Sequence, residues 1–416
     1  MAEATFAKSA SDAPPVSRGR VLTPSPKNVY FGALDGCRGV LALMVAIFHT
    51  PWASKINNTP FLNQGAVIID LFFVFSGFLM FTLYRDRMKT KAQVKTFLWR
   101  RFARLYPIHV FMTLVFLAFA FFRIYAHQTG LSGHDAGEIL PFQPGAAETG
   151  FSLLTNLSLT QALGFHESLT YNPPAWTISA EFFAYFTFAA LLFWFMPRTK
   201  LHFIAISAAV LIIYAVLSRV KANMDITYDL AFWRCLAGFY TGVVGAEIYR
   251  RVKAAPANDL SSASQRPAKL REHALEIVTL TAYILFVIYM PGKLQFFIAP
   301  FALLFVLVFA FDKGIVSRVF MWAPFAFLAK ISYSVYMVHV IIAIAADIFA
   351  AKFLPAVNGV RWHDSGLNGD LYLIPYLIAV IITGYLLQRF IEAPCAKVMG
   401  QWYKTRSKAK RGAAPA

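Results

Sequence analysis

Four ionisable residues stand where an apolar chain should exclude them. The stretch LDGCRGVLALMVAIFHT (34–50) carries Asp35, Arg38 and His49, and GAVIIDLFFVFSGFLM (65–80) carries Asp70. A charge inside a membrane span costs kilocalories, so it is kept mostly where it is paired or at work. On a helix, Arg38 and His49 differ by about 20° of rotation and roughly 16 Å of rise. They share one face near opposite ends. A neutral imidazole is a general base titrating near neutrality, whereas an arginine keeps its charge and grips phosphate bidentately. A guanidinium at one mouth of a polar channel and an imidazole deeper along it suit a long, phosphate-headed substrate. The plainer alternative has Arg38 anchoring the helix and pairing with Asp35, with His49 at the interface near Trp52.

Other polar groups could serve the same channel. Asp70 could fix the tautomer of an imidazole, as in hydrolytic triads, or pair structurally with an arginine. Gly77, seven residues on, shares its face and would admit a neighbouring helix or ligand, while Ser76 falls on another face. FLWRRFARLYP carries Arg100, Arg101 and Arg104, with Arg100 and Arg104 on one helical face. This is either an ordinary basic flank or a site for an anionic cofactor. In NPPAWTISAEFFAYF, Pro173 and Pro174 open a helix on which Thr177, Glu181 and Tyr185 share a face. An intramembrane glutamate facing a polar cavity is a functional candidate, whereas Trp176 also fits an interfacial aromatic belt. ISYSVYMVH places Ser332, Tyr336 and His339 on one stripe, as a channel wall or as interhelical hydrogen bonding. Arg234 needs an acidic or carbonyl partner, and Gly238 with Gly242 reads as a packing seam. The catalytic candidates are therefore His49, Arg38, Asp70 and Glu181. Trp176, Tyr336, His339 and Ser76 are candidates for a substrate channel.

These residues require membrane-spanning helices to position them. The chain of 416 residues is 58% apolar and only 14% charged, outside the range of soluble domains. Ten stretches approach the roughly 20 apolar residues that span a bilayer: 35–53, 66–84, 106–125, 176–196, 201–218, 229–249, 274–290, 295–311, 331–350 and 371–391. The expectation is an all-α polytopic protein of about ten helices (35–391). A polar tail (1–34) precedes them and a basic tail (392–416) follows. With both termini placed in the cytoplasm, 30 of the 39 lysines and arginines fall on the cytoplasmic side, as the positive-inside bias requires. That bias accounts for most of the +18 net charge without a nucleic-acid partner. The first 33 residues lack the apolar core of a signal peptide, so the first span is expected to direct insertion.

The connection 126–175 is expected to lie outside the cytoplasm as a solvated loop. It holds His127, His134, Asp135, Glu138, Glu148, His166 and Glu167, with no metal-ligand spacing, and no metal is expected. Cys37, Cys235 and Cys395 are widely separated and define no disulfide framework. The segment 250–273 reads as a mobile loop rich in Ser, Ala and Pro, and no internal repeat is visible.

Taken together, LDGCRGVLALMVAIFH, GAVIIDLFFVFSGF, FLWRRFARLYP, WTISAEFFAY, ISYSVYMVH and FIEAP resemble the membrane-bound acyltransferase family 3, which includes O-antigen and nodulation-factor acetylases. The motifs come in that family's order across roughly 31–395. The resemblance implies a multi-pass enzyme of the bacterial inner membrane. It would take an acyl group, often acetyl, from cytoplasmic acyl-coenzyme A and pass it to a hydroxyl of an extracytoplasmic glycan or related acceptor. It implies that Arg38 and His49 are the functional pair and that Arg100, Arg101 and Arg104 serve the donor. Cys37 stands where a bulky aliphatic residue is more usual, and no fused esterase-like domain is present. The rival expectation is an exporter of a glycan or organic anion, against which stands the lack of inverted repeats.

Overall fold

The structure is a computed structural model that describes residues 30–131, 139–254, 265–357 and 360–412. Residues from Phe31 onward form one compact unit. Its helices, in chain order, are α1 (Gly32–Phe48), α2 (Gly65–Tyr84), α3 (Lys91–Gln128), α4 (Gly150–Leu157), α5 (Trp176–Ala190), α6 (Lys200–Val220) and α7 (Ala231–Ala254). They continue with α8 (Gln265–Tyr289), α9 (Ile298–Phe309), α10 (Ile315–Phe320), α11 (Ala323–Phe353), α12 (Leu367–Leu387) and α13 (Ala393–Gly412). A two-residue antiparallel pairing, Ala356–Val357 with Val360–Arg361, is the β-structure among the described residues.

Most of each apolar stretch is helical, the first only as far as Phe48, and among the described residues eight helical segments are long and apolar enough to cross a membrane. The chain is a multi-pass membrane protein. The two stretches outside that set are α1, with only 17 residues, and α7, which carries Arg234 and Glu247 within its length. Several boundaries differ from the sequence expectation: α1 stops at Phe48, α8 and α11 begin at Gln265 and Ala323, so that both described ends of the expected loop 250–273 are helical, and the basic segments at α3 and the C-terminus are helical too. Helix α3 runs 38 residues, about 57 Å, because the basic FLWRRFAR segment continues the helix toward a capping box at Thr90 and Gln93. The basic C-terminal segment is likewise helical. A π-helical turn, Gln388–Glu392, joins it to α12 without a break just before Pro394, and Trp99 of α3 stacks on Tyr403 with ring centroids 5.6 Å apart.

Close approach of backbones sets the frame. A Cβ at Gly77 would collide with the Phe239 carbonyl, and one at Gly242 with the Val74 carbonyl. The glycine seam read in the sequence is therefore the crossing of α2 and α7. A Cβ at Gly36 would likewise strike the Phe320 carbonyl, and one at Gly39 would lie 2.6 Å from Ala329 N, so α1 lies tightly along α10 and α11. The amino end of α1 is capped from a distance. Asp312 accepts from Gly32 N at 3.1 Å and Ala33 N at 2.8 Å, satisfying two of the amide groups that a helix start leaves without partners. Buried Glu276 of α8 does the same for α10, accepting from Gly314 N at 2.6 Å and Ser317 N at 2.9 Å.

The connection between α3 and α5 is not simply a solvated loop. Its described part holds α4 and a buried polar network. Asn156 donates to Thr170 Oγ1 at 2.7 Å, Gln161 to Ala175 O at 3.1 Å, and Asn172 to Met337 O at 3.3 Å. Gln161 and Asn172 satisfy backbone carbonyls that burial would otherwise strand and dock the connection at the start of α5 and on α11, while Asn156 ties the connection to itself. His134, Asp135 and Glu138 lie outside the described residues. Glu148 meets Arg123 at 3.7 Å, and His166 pairs with Thr155 at 2.7 Å.

Candidate active site

A cavity of about 120 Å³ lies between α1, α2, α3, α5 and α11. At one end three guanidinium groups meet: Arg38 from α1, and Arg101 and Arg104 from α3. Arg101 and Arg104 are three residues apart and so share a helical face. Arg100, expected beside Arg101 and Arg104, is exposed and is not in the cavity wall. Arg38 has Asp35 at 3.4 Å, and among the described residues neither Arg101 nor Arg104 has a carboxylate within 4.0 Å. Arg101 instead lies 5.8 Å from the Tyr84 ring centroid and 6.0 Å from that of Tyr185. Glu392 is within electrostatic range of Arg104 and Arg38 without contacting either, so three guanidinium groups, two of them without a carboxylate in contact, leave this end of the space suited to a polyanion.

The middle of the cavity is built by Ser76, Glu181 and Tyr185. The Ser76 hydroxyl and the Tyr185 hydroxyl both donate to Glu181 Oε1, the latter at 2.6 Å. Ser76 therefore faces the carboxylate of α5. Further along, Tyr336 closes the space, held by a hydrogen bond from Thr177 Oγ1 to its hydroxyl at 3.1 Å. Behind Tyr336 come two histidines. The His339 ring centroid is 5.7 Å from that of Tyr336 and 5.0 Å from that of His49. His339 is fully buried, while His49, at the carboxyl end of α1, is exposed.

Hydrogen bonding fixes both tautomers. His49 Nδ1 lies 2.8 Å from Val45 O, and His339 Nδ1 lies 2.7 Å from Tyr336 O. A carbonyl oxygen only accepts, so both Nδ1 atoms carry the hydrogen of the neutral ring and both Nε2 atoms keep their lone pairs. His339 Nε2 is buried without a hydrogen-bond partner. His49 thus presents the form required of a base without help from a carboxylate.

That arrangement revises the part given to Asp70. Its two oxygens are taken by Arg234, with Nε to Oδ1 at 3.2 Å and Nη2 to Oδ2 at 2.7 Å, both side chains fully buried. Arg234 also donates to Ala66 O at 2.5 Å and Ile226 O at 3.1 Å. Trp176 lies over this guanidinium at 5.3 Å and outside the cavity wall. Asp70 and Trp176 therefore belong to a cluster that locks α2, α5 and α7 together. Neither Asp70 nor Glu181 hydrogen-bonds His49. Residues without an assigned role in the sequence also surround the site. Tyr333 donates to Leu105 O at 2.6 Å, and Glu392 accepts from Ser334 at 2.8 Å. Glu392 sits in the quoted FIEAP motif, but nothing in its spacing announces that α12 returns it to the bundle.

Comparison with known proteins bears on what this cavity serves. A family model described as an acyltransferase domain matches residues 31–389. The chain belongs to acyltransferase family 3. Acyltransferase MdmB of Streptomyces mycarofaciens is 25% identical over 402 residues, covering 90% of this chain and 94% of that protein. Protein 2 in picA locus of Rhizobium radiobacter is 32% identical over 155 residues, covering 36% of this chain and 76% of that protein. No solved structure matches. The acyltransferase is thus an enzyme that transfers acyl groups within a membrane-embedded helical fold, and family membership favours this reading over an exporter. Among its described residues no three His, Cys, Asp or Glu side chains are grouped to hold a metal.

Proposed function

We propose that this acyltransferase takes an acyl group from cytoplasmic acyl-coenzyme A, with acetyl the first candidate. It transfers that group to a hydroxyl of a glycan or related cell-envelope acceptor on the other side of a bacterial inner membrane. In this reading both termini are cytoplasmic and the helix count is ten. The observation that carries it is a cavity lined by guanidiniums, by Glu181 with Ser76 and Tyr185, and by Tyr336, with two histidines beyond its wall: the His339 ring lies 5.7 Å from that of Tyr336 and 5.0 Å from that of His49. The donor's phosphates bind Arg38, Arg101 and Arg104, and its pantetheine arm runs along the cavity toward His49. The present space is smaller than the roughly 300 Å³ or more of a typical ligand pocket. Entry of the arm therefore requires the Tyr336 end to open.

His49 Nε2 removes the proton of the acceptor hydroxyl as its oxygen attacks the thioester carbonyl. The C–O bond forms, the C–S bond breaks, and the proton passes from His49 to the departing thiolate. The Val45 carbonyl, holding Nδ1–H, keeps the ring in the required tautomer throughout. Purified protein in nanodiscs supplied with acetyl-coenzyme A and envelope glycan tests the assignment. His49→Ala abolishes transfer while donor binding persists. Loss of binding together with transfer reassigns His49 to a structural role.

A further inference from the structure

A second depression lies on the outer wall of the bundle, between α6 and α7, away from the acyl-transfer cavity. Its floor is shallow where Ser207 and Ala208 stand between the exposed side chains of Ile204 and Leu211, and Val244 and Ile248 of α7 form the facing wall. Its lining is apolar apart from one end, where Lys200 and Arg251 stand with Glu247. The glutamate is already taken: it binds Arg250 at 2.6 Å and Arg251 at 2.7 Å, and Arg85 lies at 3.9 Å. Asp86 is the further acidic group near Arg250. Four cations against two carboxylates leave this end net positive.

Length and charge together specify an occupant. From Lys200 to Leu211 α6 rises about 16 Å, half of the roughly 30 Å hydrocarbon core and hence the depth of one leaflet. An apolar trough one leaflet deep, with spare positive charge where that leaflet meets water, matches a phospholipid whose headgroup bears net negative charge. The amino end of α6 adds its own favourable partial charge at the same level. We propose that the groove between α6 and α7 is a binding site for an anionic phospholipid, its acyl chain along Ile204, Leu211 and Ile248 and its phosphate at Lys200 and Arg251. A zwitterionic lipid can fill the trough but gains little from the cations.

Native mass spectrometry of the full chain, released from nanodiscs containing equal palmitoyl-oleoyl phosphatidylglycerol and phosphatidylcholine, tests this directly. The wild type retains the phosphatidylglycerol adduct preferentially. Lys200→Gln and Arg251→Gln each reduce that preference about fivefold, the factor a single lysine or arginine contributes at an anionic surface. Leu211→Trp, at an exposed position that can accept bulk, fills the trough and removes the adduct while both cations remain. Equal retention of the two lipids by the wild type, or unchanged preference in Lys200→Gln and Arg251→Gln, overturns the proposal. Neither result touches the acyl-transfer reading.

Discussion

Replacing Asp70 by Asn separates a structural anchor from a catalytic group. In the folded protein Asp70 and Arg234 are both without solvent exposure and share two hydrogen bonds, at 2.7 and 3.2 Å. Removing one partner of such a pair leaves an uncompensated buried charge, which costs about 3–5 kcal/mol. Arg234 would keep Ala66 O and Ile226 O as acceptors, and the asparagine oxygen can still accept one bond, so the expected loss is near the lower limit, about 3 kcal/mol. Denaturant titration in mixed micelles, followed by tryptophan fluorescence, reads that loss. Replacing the pair together, Asp70→Leu with Arg234→Met, removes both charges and recovers most of the stability. Asp70→Asn that keeps wild-type stability but loses acyl transfer refutes the anchoring argument and returns Asp70 to the reaction.

Three further outcomes follow from the packing. Gly242→Leu forces a side chain against the Val74 carbonyl where α2 crosses α7; backbone shifts of this kind cost about 1–3 kcal/mol or more, visible as lowered thermal stability in detergent. Asp312→Ala strips the cap from α1 and costs about 1 kcal/mol, and hydrogen exchange reports it as faster exchange at Gly32 and Ala33. Tyr185→Phe removes one of the two hydroxyl donors to Glu181, which costs about 1 kcal/mol and is read as a lowered denaturation midpoint.

The sequence revealed the membrane class and the polar residues to watch, because a charge in an apolar run is conspicuous wherever the chain takes it. The glycine seam was legible for the same reason: Gly238 and Gly242 have one simple use at that spacing. What the sequence could not supply was partnership across the bundle. Asp70 and Arg234 are 164 positions apart, and only the crossing of α2 and α7 brings them together, so a carboxylate that looked available to a histidine is occupied. Helical periodicity put Arg100 with Arg104, whereas the cavity takes Arg101, because the face that α3 turns inward depends on α1, α5 and α11. Ser76, set on a different face from Asp70, proved to be the one that meets Glu181. The polar network of Asn156, Gln161 and Asn172 looked like any solvated loop, since its burial comes entirely from docking.

Isothermal calorimetry of acetyl-coenzyme A with the purified protein in nanodiscs tests the central claim most directly. Each guanidinium on a phosphate contributes about 1.5–3 kcal/mol. Arg101→Ala and Arg104→Ala are therefore each expected to weaken binding by about tenfold or more, while Arg100→Ala, outside the cavity, leaves it unchanged. A folded wild type that binds no acyl-coenzyme A, or a series in which Arg100→Ala weakens binding as much as Arg101→Ala and Arg104→Ala, contradicts the account.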